Sequence, residues 1–446
     1  MGKQMLRSVL EKLKENNKLK TCKKEVDPKF ELGAVLKHFK NTKPILFDKV
    51  KRSKVPVIGG MFGDRKIWYE MLQTSKDERI FKLMDAIANP KPTKLLNAGP
   101  ILENVILNNI NISSLFPIPT YHEKDSASFI TAGIVLIKDP ETGKRYTSVR
   151  RLQVNSGNNL SLLIASPLLT KQIETLESKN KQLEIAVIIG YDFEFLLASQ
   201  ISSSLYGVDK YGVDSALRGE ALELVKCRTV DLEVPAYAEI VLEGVLRPKN
   251  RKDEGPFGEL MGYYGGVGNH PTVDITAVLH RNNPIYQTSF PCREEHLSNA
   301  LAREVELYRS LDKIVDVNDV HITIGGGCRF HAIVSINKKS EGDSKAAIIS
   351  ALSSDKDLKH VVIVDEDIDI FDSDDVEGAI ATRVQGVKDI VVIPNALGSG
   401  LDPSHNLLGT TDKVGIDATK PLGKKRVDFD KAVIPKYEDI DINKYF

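Results

Sequence analysis

The stretch KDEGPFGELMGYYGG sets two carboxylates, Glu254 and Glu259, on either side of a Gly-Pro-Phe-Gly turn, with a glycine-rich loop behind them. Two acids on so constrained a loop can be given unlike surroundings. One then stays ionised while the other is kept protonated as a donor, which is the requirement of general acid–base chemistry. Spacing alone leaves open the alternative of a surface turn with two solvated glutamates.

A second cluster is SVRRLQV, where Arg150 and Arg151 stand in an expected strand. Successive strand side chains face opposite sides, so one of the two points inward. An inward guanidinium is costly without a carboxylate beside it, and it is the natural two-point partner of a bound carboxylate. An ordinary structural Arg–Glu pair meets the same demand. Lys413 falls in LGTTDKVGIDATKP, read as a loop of small hydroxyl and glycine residues. Such a loop suits a phosphate, and an exposed lysine is the alternative. His296 follows Glu294 and Glu295 on an expected helix and is a candidate substrate contact, or an ordinary helix histidine. The glycines at 325–327 lack dinucleotide or P-loop spacing and read as a turn.

These residues need elements to hold them. Residues 1–115 alternate helical patterns (26–39, 77–88) with short apolar runs (PILFDKV, VPVIGGMF), an N-terminal α/β domain. Pro117 and Pro119 in FPIPTY mark the passage to a central domain, 116–292. There FITAGIVLIKD and YTSVRRLQV flank the turn 140–143 as a hairpin. EIAVIIGYD, LELVKCRTVDLEV, AEIVLEGVL and TVDITAVLHR add strands, and KQIETLESKNKQL and 193–204 add covering helices, which predicts a β-barrel under helical cover. A linking helix at 293–312 leads to a small α/β domain, 313–446, in which HITIGGG, FHAIVSI, HVVIVD and DIVVIP alternate with helical stretches.

With 446 residues and 41% hydrophobic content the chain can bury a large core. Its 61 basic and 61 acidic residues cancel, so charge steers it to neither nucleic acid nor an anionic membrane, and a small molecule is the expected ligand. Cys22, Cys227, Cys292 and Cys328 stand far apart and read as reduced, packed thiols. The amino-terminal stretch mixes lysines with apolar residues at helical spacing and has no continuous apolar run, which places the expectation in the cytoplasm.

Taken together, YHEKDSASFITAGIVLIKDPETG, RRLQV, SALRGEALELVKCRTVDLEVPAYAEIVLEG, EGPFGELMGYYG, HRNNPIYQ, ATRVQ, GLDPS and DKVGIDAT closely resemble the UbiD family of decarboxylases, in family order over about 115–420. The resemblance implies an α/β (α+β) fold around a split, flavin-reductase-like β-barrel, prenylated FMN as cofactor, and a flavin prenyltransferase as its supplier. It also implies a homo-oligomer assembled through the last domain. By position it makes Arg151 and Glu254 the ion pair at the substrate's carboxylate end and Glu259 the proton donor. Ser148, Val149 and Arg150 fall where the family's strand passes the flavin, and Lys413 where a lysine meets its phosphate. The reaction implied is non-oxidative, reversible decarboxylation of a small aromatic, heteroaromatic or α,β-unsaturated acid.

The family's divalent metal is held by an asparagine, a histidine and a glutamate, whose places are taken here by Tyr146, Leu169 and Lys210. Leucine cannot ligate a metal and an ammonium repels one, so no metal is expected. Two outcomes stay open. Lys210 replaces the metal on the phosphate, or the chain is a non-catalytic partner or small-acid-binding protein without the flavin. The family's proline-bearing flavin loop appears as QISSSLYG, without its prolines.

Overall fold

A computed structural model describes residues 5–445 except 140, 165, 203–205, 292, 407, 424–428 and 430, and leaves the side chains of 167, 168, 295, 438 and 443 undescribed. Cys292, the proline of the expected hairpin turn and the middle of QISSSLYG thus lie outside the described residues. The chain divides into two compact units, the first comprising 1–306, 322–331 and 399–409, the second 307–321, 332–398 and 410–446.

The first unit is built on six antiparallel strands, β1 (Phe129–Lys138), β2 (Arg145–Val154), β3 (Asn159–Leu162), β4 (Leu183–Ile189), β5 (Ile240–Glu254) and β6 (Gly268–His280). Their order is β5-β4-β1-β2-β3-β6, and the pairing of β5 with β6 closes the barrel. Closure leaves no long unpaired edge, which is how a run of β-branched strands such as EIAVII stays safe from foreign pairing. Nine of the ten residues of β1 are buried. A strand covered on both faces needs such a continuous apolar run.

Helices α1 (Pro167–Ser178), α2 (Phe193–Gln200) and α3 (Lys210–Arg218) cover one side, and α4 (Glu294–Leu311) follows the barrel. At the amino terminus, helix Leu6–Glu15 buries Leu6, Val9, Leu10 and Leu13, the spacing of one helical face. Its Arg7 Nε meets Glu239 at 2.8 Å.

Three expectations are corrected. The stretch 26–39 is helical only over Glu31–His38, and Val26 instead bridges to Val50. LELVKCRTVDLEV breaks into Glu223–Lys226 and Glu233–Pro235, which pair with each other outside the barrel, the first also pairing with Lys94–Leu95. Polar residues at the centre of that run turn the chain back before it is long enough to span the barrel. The segment around Lys413 is no loop but a strand, Thr410–Asp417.

That strand belongs to a five-stranded sheet, β7 (Val317–Ile322), β8 (His331–Ile336), β9 (His360–Asp365), β10 (Ile390–Leu397) and β11 (Thr410–Asp417), ordered β7-β8-β9-β11-β10. Helices α5 (Asp343–Ser354) and α6 (Ser373–Arg383) complete this α/β part. Among the described residues no helix is long and apolar enough to cross a membrane.

Candidate functional site

Strand β2 carries the site on both of its faces. Arg151 projects to one side, where its Nε donates to Glu254 Oε1 at 2.7 Å and its Nη2 to Glu254 Oε2 at 2.8 Å. Its Nη1 donates to Glu259 Oε1. The guanidinium also lies 5.0 Å from the centre of the Phe257 ring. The side chains of Arg151 and Glu259 are 10% and 18% exposed, and that of Glu254 is fully buried. A two-point charged pair in so dry a setting is strong in Coulomb terms and intolerant of losing one member. His270, on β6, stands close by. Burial holds its imidazole below the usual range, the Glu254 carboxylate opposes that, and Arg151 adds to it.

Glu254 ends β5 and Glu259 lies five residues on, across a cis Gly255–Pro256 bond. The loop between them hangs from three anchors. Gln153, two residues along β2 from Arg151 and so on the same face, accepts from Gly255 N at 2.9 Å and donates to Asp253 O at 3.3 Å. Ser126 N donates to Pro256 O at 3.0 Å. Asp125 Oδ1 accepts from Gly258 N at 2.9 Å, while its Oδ2 accepts from Tyr121 N and His122 N at 3.1 and 2.8 Å. Burial works against ionisation of Asp125, but the His122 side chain and these amides prevail and keep its carboxyl below the usual range. The imidazole of His122 packs against the loop, and a Cβ on Gly258 would stand 2.2 Å from His122 Nδ1. Only glycine fits there.

On the other face of β2, Tyr146, Ser148 and Arg150 share a side with the core residues Leu152 and Val154. Arg150 Nε donates to Ser148 Oγ at 3.1 Å. A cavity of about 190 Å³ opens here, and Tyr146, Ser148, Arg150, Leu169, Gln172 and Lys210 line it. Lys210 Nζ donates to Thr147 O and Ser199 O, each at 2.7 Å. Burial, and next the nearby Arg150, push its ammonium down to about 7. Burial likewise lowers Arg150.

The expectation that an inward arginine takes a carboxylate is thus reversed. Among the described residues Arg150, on the core side, has no carboxylate partner, and Arg151, on the opposite side, has two. Val149 alternates to the Arg151 face and does not line the cavity. The three residues standing at metal-ligand positions, Tyr146, Leu169 and Lys210, do converge on one cavity. Two cations, a phenol and an isobutyl group fit an anion such as a phosphate and do not fit a dication.

The loop expected around Lys413 is corrected. The lysine sits buried on β11, and its Nζ donates to Leu352 O and Asp355 O at 2.8 and 2.9 Å, at the end of α5. Free carbonyls at a helix C-terminus are a favourable place for an ammonium. His296 is half-buried on α4, two residues after Glu294. Asp125, His122 and Gln153 escaped the reading of residue types because none stands near the acids in sequence. The one signal was their place inside YHEKDSAS and RRLQV.

Three family profiles cover nearly the whole chain, the N-terminal domain of 3-octaprenyl-4-hydroxybenzoate carboxy-lyase at 10–87, its Rift-related domain at 94–294 and its C-terminal domain at 296–418. An anhydromevalonate phosphate decarboxylase of Methanosarcina mazei is 39% identical over 96% of this chain and 99% of its own. A phenolic acid decarboxylase of Sedimentibacter hydroxybenzoicus is 32% identical over 94% and 92%. Among solved structures, the UbiD-class enzyme HmfF from Pelotomaculum thermopropionicum in complex with FMN superposes with a TM-score of 0.96 at 42% identity, covering 99% of this chain and all of its own. An evolved dimeric form of HmfF in complex with prFMN reaches 0.92 at 41%, with the same coverage.

Proposed function

Because the chain belongs to the UbiD family of carboxy-lyases, we propose that it decarboxylates a small aromatic, heteroaromatic or α,β-unsaturated acid with prenylated FMN bound. The observation that carries this reading is the meeting of Arg151, Glu254 and Glu259 on one face of the strand whose other face lines a cationic cavity. The modified flavin, when bound, supplies the electron sink for the pair left by C–C cleavage.

Everything else falls to the chain's own side chains. Glu254 holds the guanidinium of Arg151 in plane from one edge, leaving Nη1 as the edge on which a substrate carboxylate can bind. That edge now serves Glu259. A substrate carboxylate arriving there competes with Glu259 for the same donor and frees Glu259 to carry a proton. As carbon dioxide leaves, Glu259 protonates the carbon that lost it and is reprotonated from water. Arg150, Lys210 and Ser148 receive the flavin phosphate, with Lys210 in place of the metal. Lys413 is left out of this set, since it does not line that cavity.

Co-expression with a flavin prenyltransferase tests the reading. The purified protein should carry a modified flavin by absorbance and mass spectrum, and should release carbon dioxide from a member of an acid panel. Anhydromevalonate phosphate and phenolic acids, for which two relatives are named, come first. A second reading, a non-catalytic partner or small-acid-binding protein, is favoured by Tyr146, Leu169 and Lys210 standing where metal ligands are expected. Colourless, flavin-free protein after co-expression would establish it. The dimeric HmfF form supports a homo-oligomer, which sedimentation can count.

A further inference from the structure

Arg150 and Lys210 enter one cavity, and neither has a carboxylate within hydrogen-bond distance among the described residues. We propose that this cavity is a metal-free phosphomonoester site whose filling takes up one proton, on Lys210. The proposal deepens, and rests on, the reading of the site as the seat of the flavin phosphate.

The geometry of Lys210 carries it. Its Nζ donates to two carbonyls, Thr147 O and Ser199 O. A neutral amine has two N–H bonds, and both are then satisfied. The third N–H exists only on the ammonium, and among the described residues Nζ makes no third hydrogen bond. An anion in the cavity supplies that acceptor.

The protein groups around Nζ discourage the charge. Lys210 is buried, and Arg150 from β2 adds a permanent positive charge. Glu306, from α4, is the carboxylate that acts on it through space in the opposite sense. Tyr146, on β2, is the other titratable group lining the cavity. From α1 come Leu169 and Gln172, and from the segment after α2 come Ile201 and Ser202, none of which ionises. Lys210 is accordingly pushed down to about 7 by its protein surroundings. A phosphate dianion reverses the balance, since an opposite charge within hydrogen-bond distance favours the ammonium. By linkage, binding and protonation then strengthen each other.

A divalent cation and Lys210 exclude each other here, because each would stand next to the phosphate and they repel. A phosphorylated flavin and free phosphate offer the same chemistry, and separate ligands distinguish the two.

The test is calorimetric titration of the full chain with FMN, riboflavin or inorganic phosphate, at pH 7, 8 and 9. Each is run in two buffers of different ionisation heat, with EDTA and with manganese. At pH 8 the FMN phosphate is already a dianion, so proton uptake reports the protein. Expected is close to one proton taken up per FMN bound at pH 8, with affinity falling about tenfold per pH unit above 8. EDTA and manganese should make no difference. Riboflavin should bind more weakly, without proton uptake or pH dependence. Lys210→Met should weaken FMN at least tenfold and abolish the uptake. Lys210→Arg, permanently charged, should keep FMN and lose both the uptake and the pH dependence.

Binding of FMN without proton uptake, or only with manganese, overturns the proposal while leaving the flavin reading intact. Inorganic phosphate that binds with proton uptake while FMN does not would uphold the anion site and sink the flavin reading. If no phosphate compound binds, the proposal is wrong.

Discussion

Arg151 and Glu254 meet through two parallel hydrogen bonds, 2.7 and 2.8 Å long, across 103 positions of chain, and the carboxylate they join is fully buried. Removing the guanidinium leaves that carboxylate with a charge and no counter-charge. Arg151→Met should therefore cost about 3–5 kcal/mol, read as a fall in the urea midpoint at constant slope. Arg151→Met/Glu254→Met should recover much of the loss while remaining inactive. A single variant as stable as the wild type would mean that the pair does not hold the loop.

Glu259 is the more exposed acid, and without it Arg151 keeps Glu254 as its counter-charge. Glu259→Gln should stay within about 0.5 kcal/mol of the wild-type stability and keep its ligand. Turnover should fall roughly 10²–10⁴-fold, as expected when a positioned proton donor is removed. An unchanged kcat would assign the proton to another group.

The Gly258 backbone passes against the His122 ring with no room for a methyl group. Gly258→Ala should push the Glu259 loop off its anchor on Asp125 and lower kcat, with KM little changed. Trimming the ring as well, in Gly258→Ala/His122→Ala, should restore part of the rate. If the double variant is no better than the single, contact with His122 is not what positions the loop.

Glu294 is buried among backbone amides, accepting from Phe290 N at 2.7 Å and Phe62 N at 3.3 Å. Burial outweighs those amides and raises its carboxyl to about 7 from an ordinary 4.5. The folded chain therefore binds more protons than the unfolded chain between those values. This contribution to stability is full below pH 4.5 and is lost as pH rises through 7, by about 3 kcal/mol at most. Lys210 works in the opposite sense, its penalty being relieved only as pH rises above about 7. Urea midpoints of the ligand-free protein from pH 5 to 7 should thus decline, and Glu294→Gln should flatten the decline. A wild-type curve already flat there would remove Glu294 from the account.

Installing the family's metal set should convert the anion cavity into a dication site. Tyr146→Asn/Leu169→His/Lys210→Glu should bind FMN only with manganese present, measured as flavin retained on gel filtration. Retention without metal would show that Arg150 suffices for the phosphate.

Much of this molecule was legible in its residue order. The barrel strands announced themselves through alternating or continuous apolar runs between turns, and the acids of EGPFGE through a constrained loop. Local patterns of this kind survive folding because a strand's period and a proline's torsion are set by neighbours in the chain. The resemblance added which arginine goes with which glutamate.

Tertiary structure decided what depends on distance in space. Which face of β2 each arginine takes, and that the core-side one goes without a carboxylate, follows from how β2 packs rather than from the pair RR. Likewise LGTTDKVGIDATKP looked like a phosphate loop until β9 and β10 recruited it as a strand between them and α5 claimed its lysine. Asp125 and Gln153 became anchors of the loop between Glu254 and Glu259 only because closing the barrel brings three distant segments together. A hydrogen bond is specified by position to within an ångström, and sequence spacing carries no such measure for residues a hundred places apart.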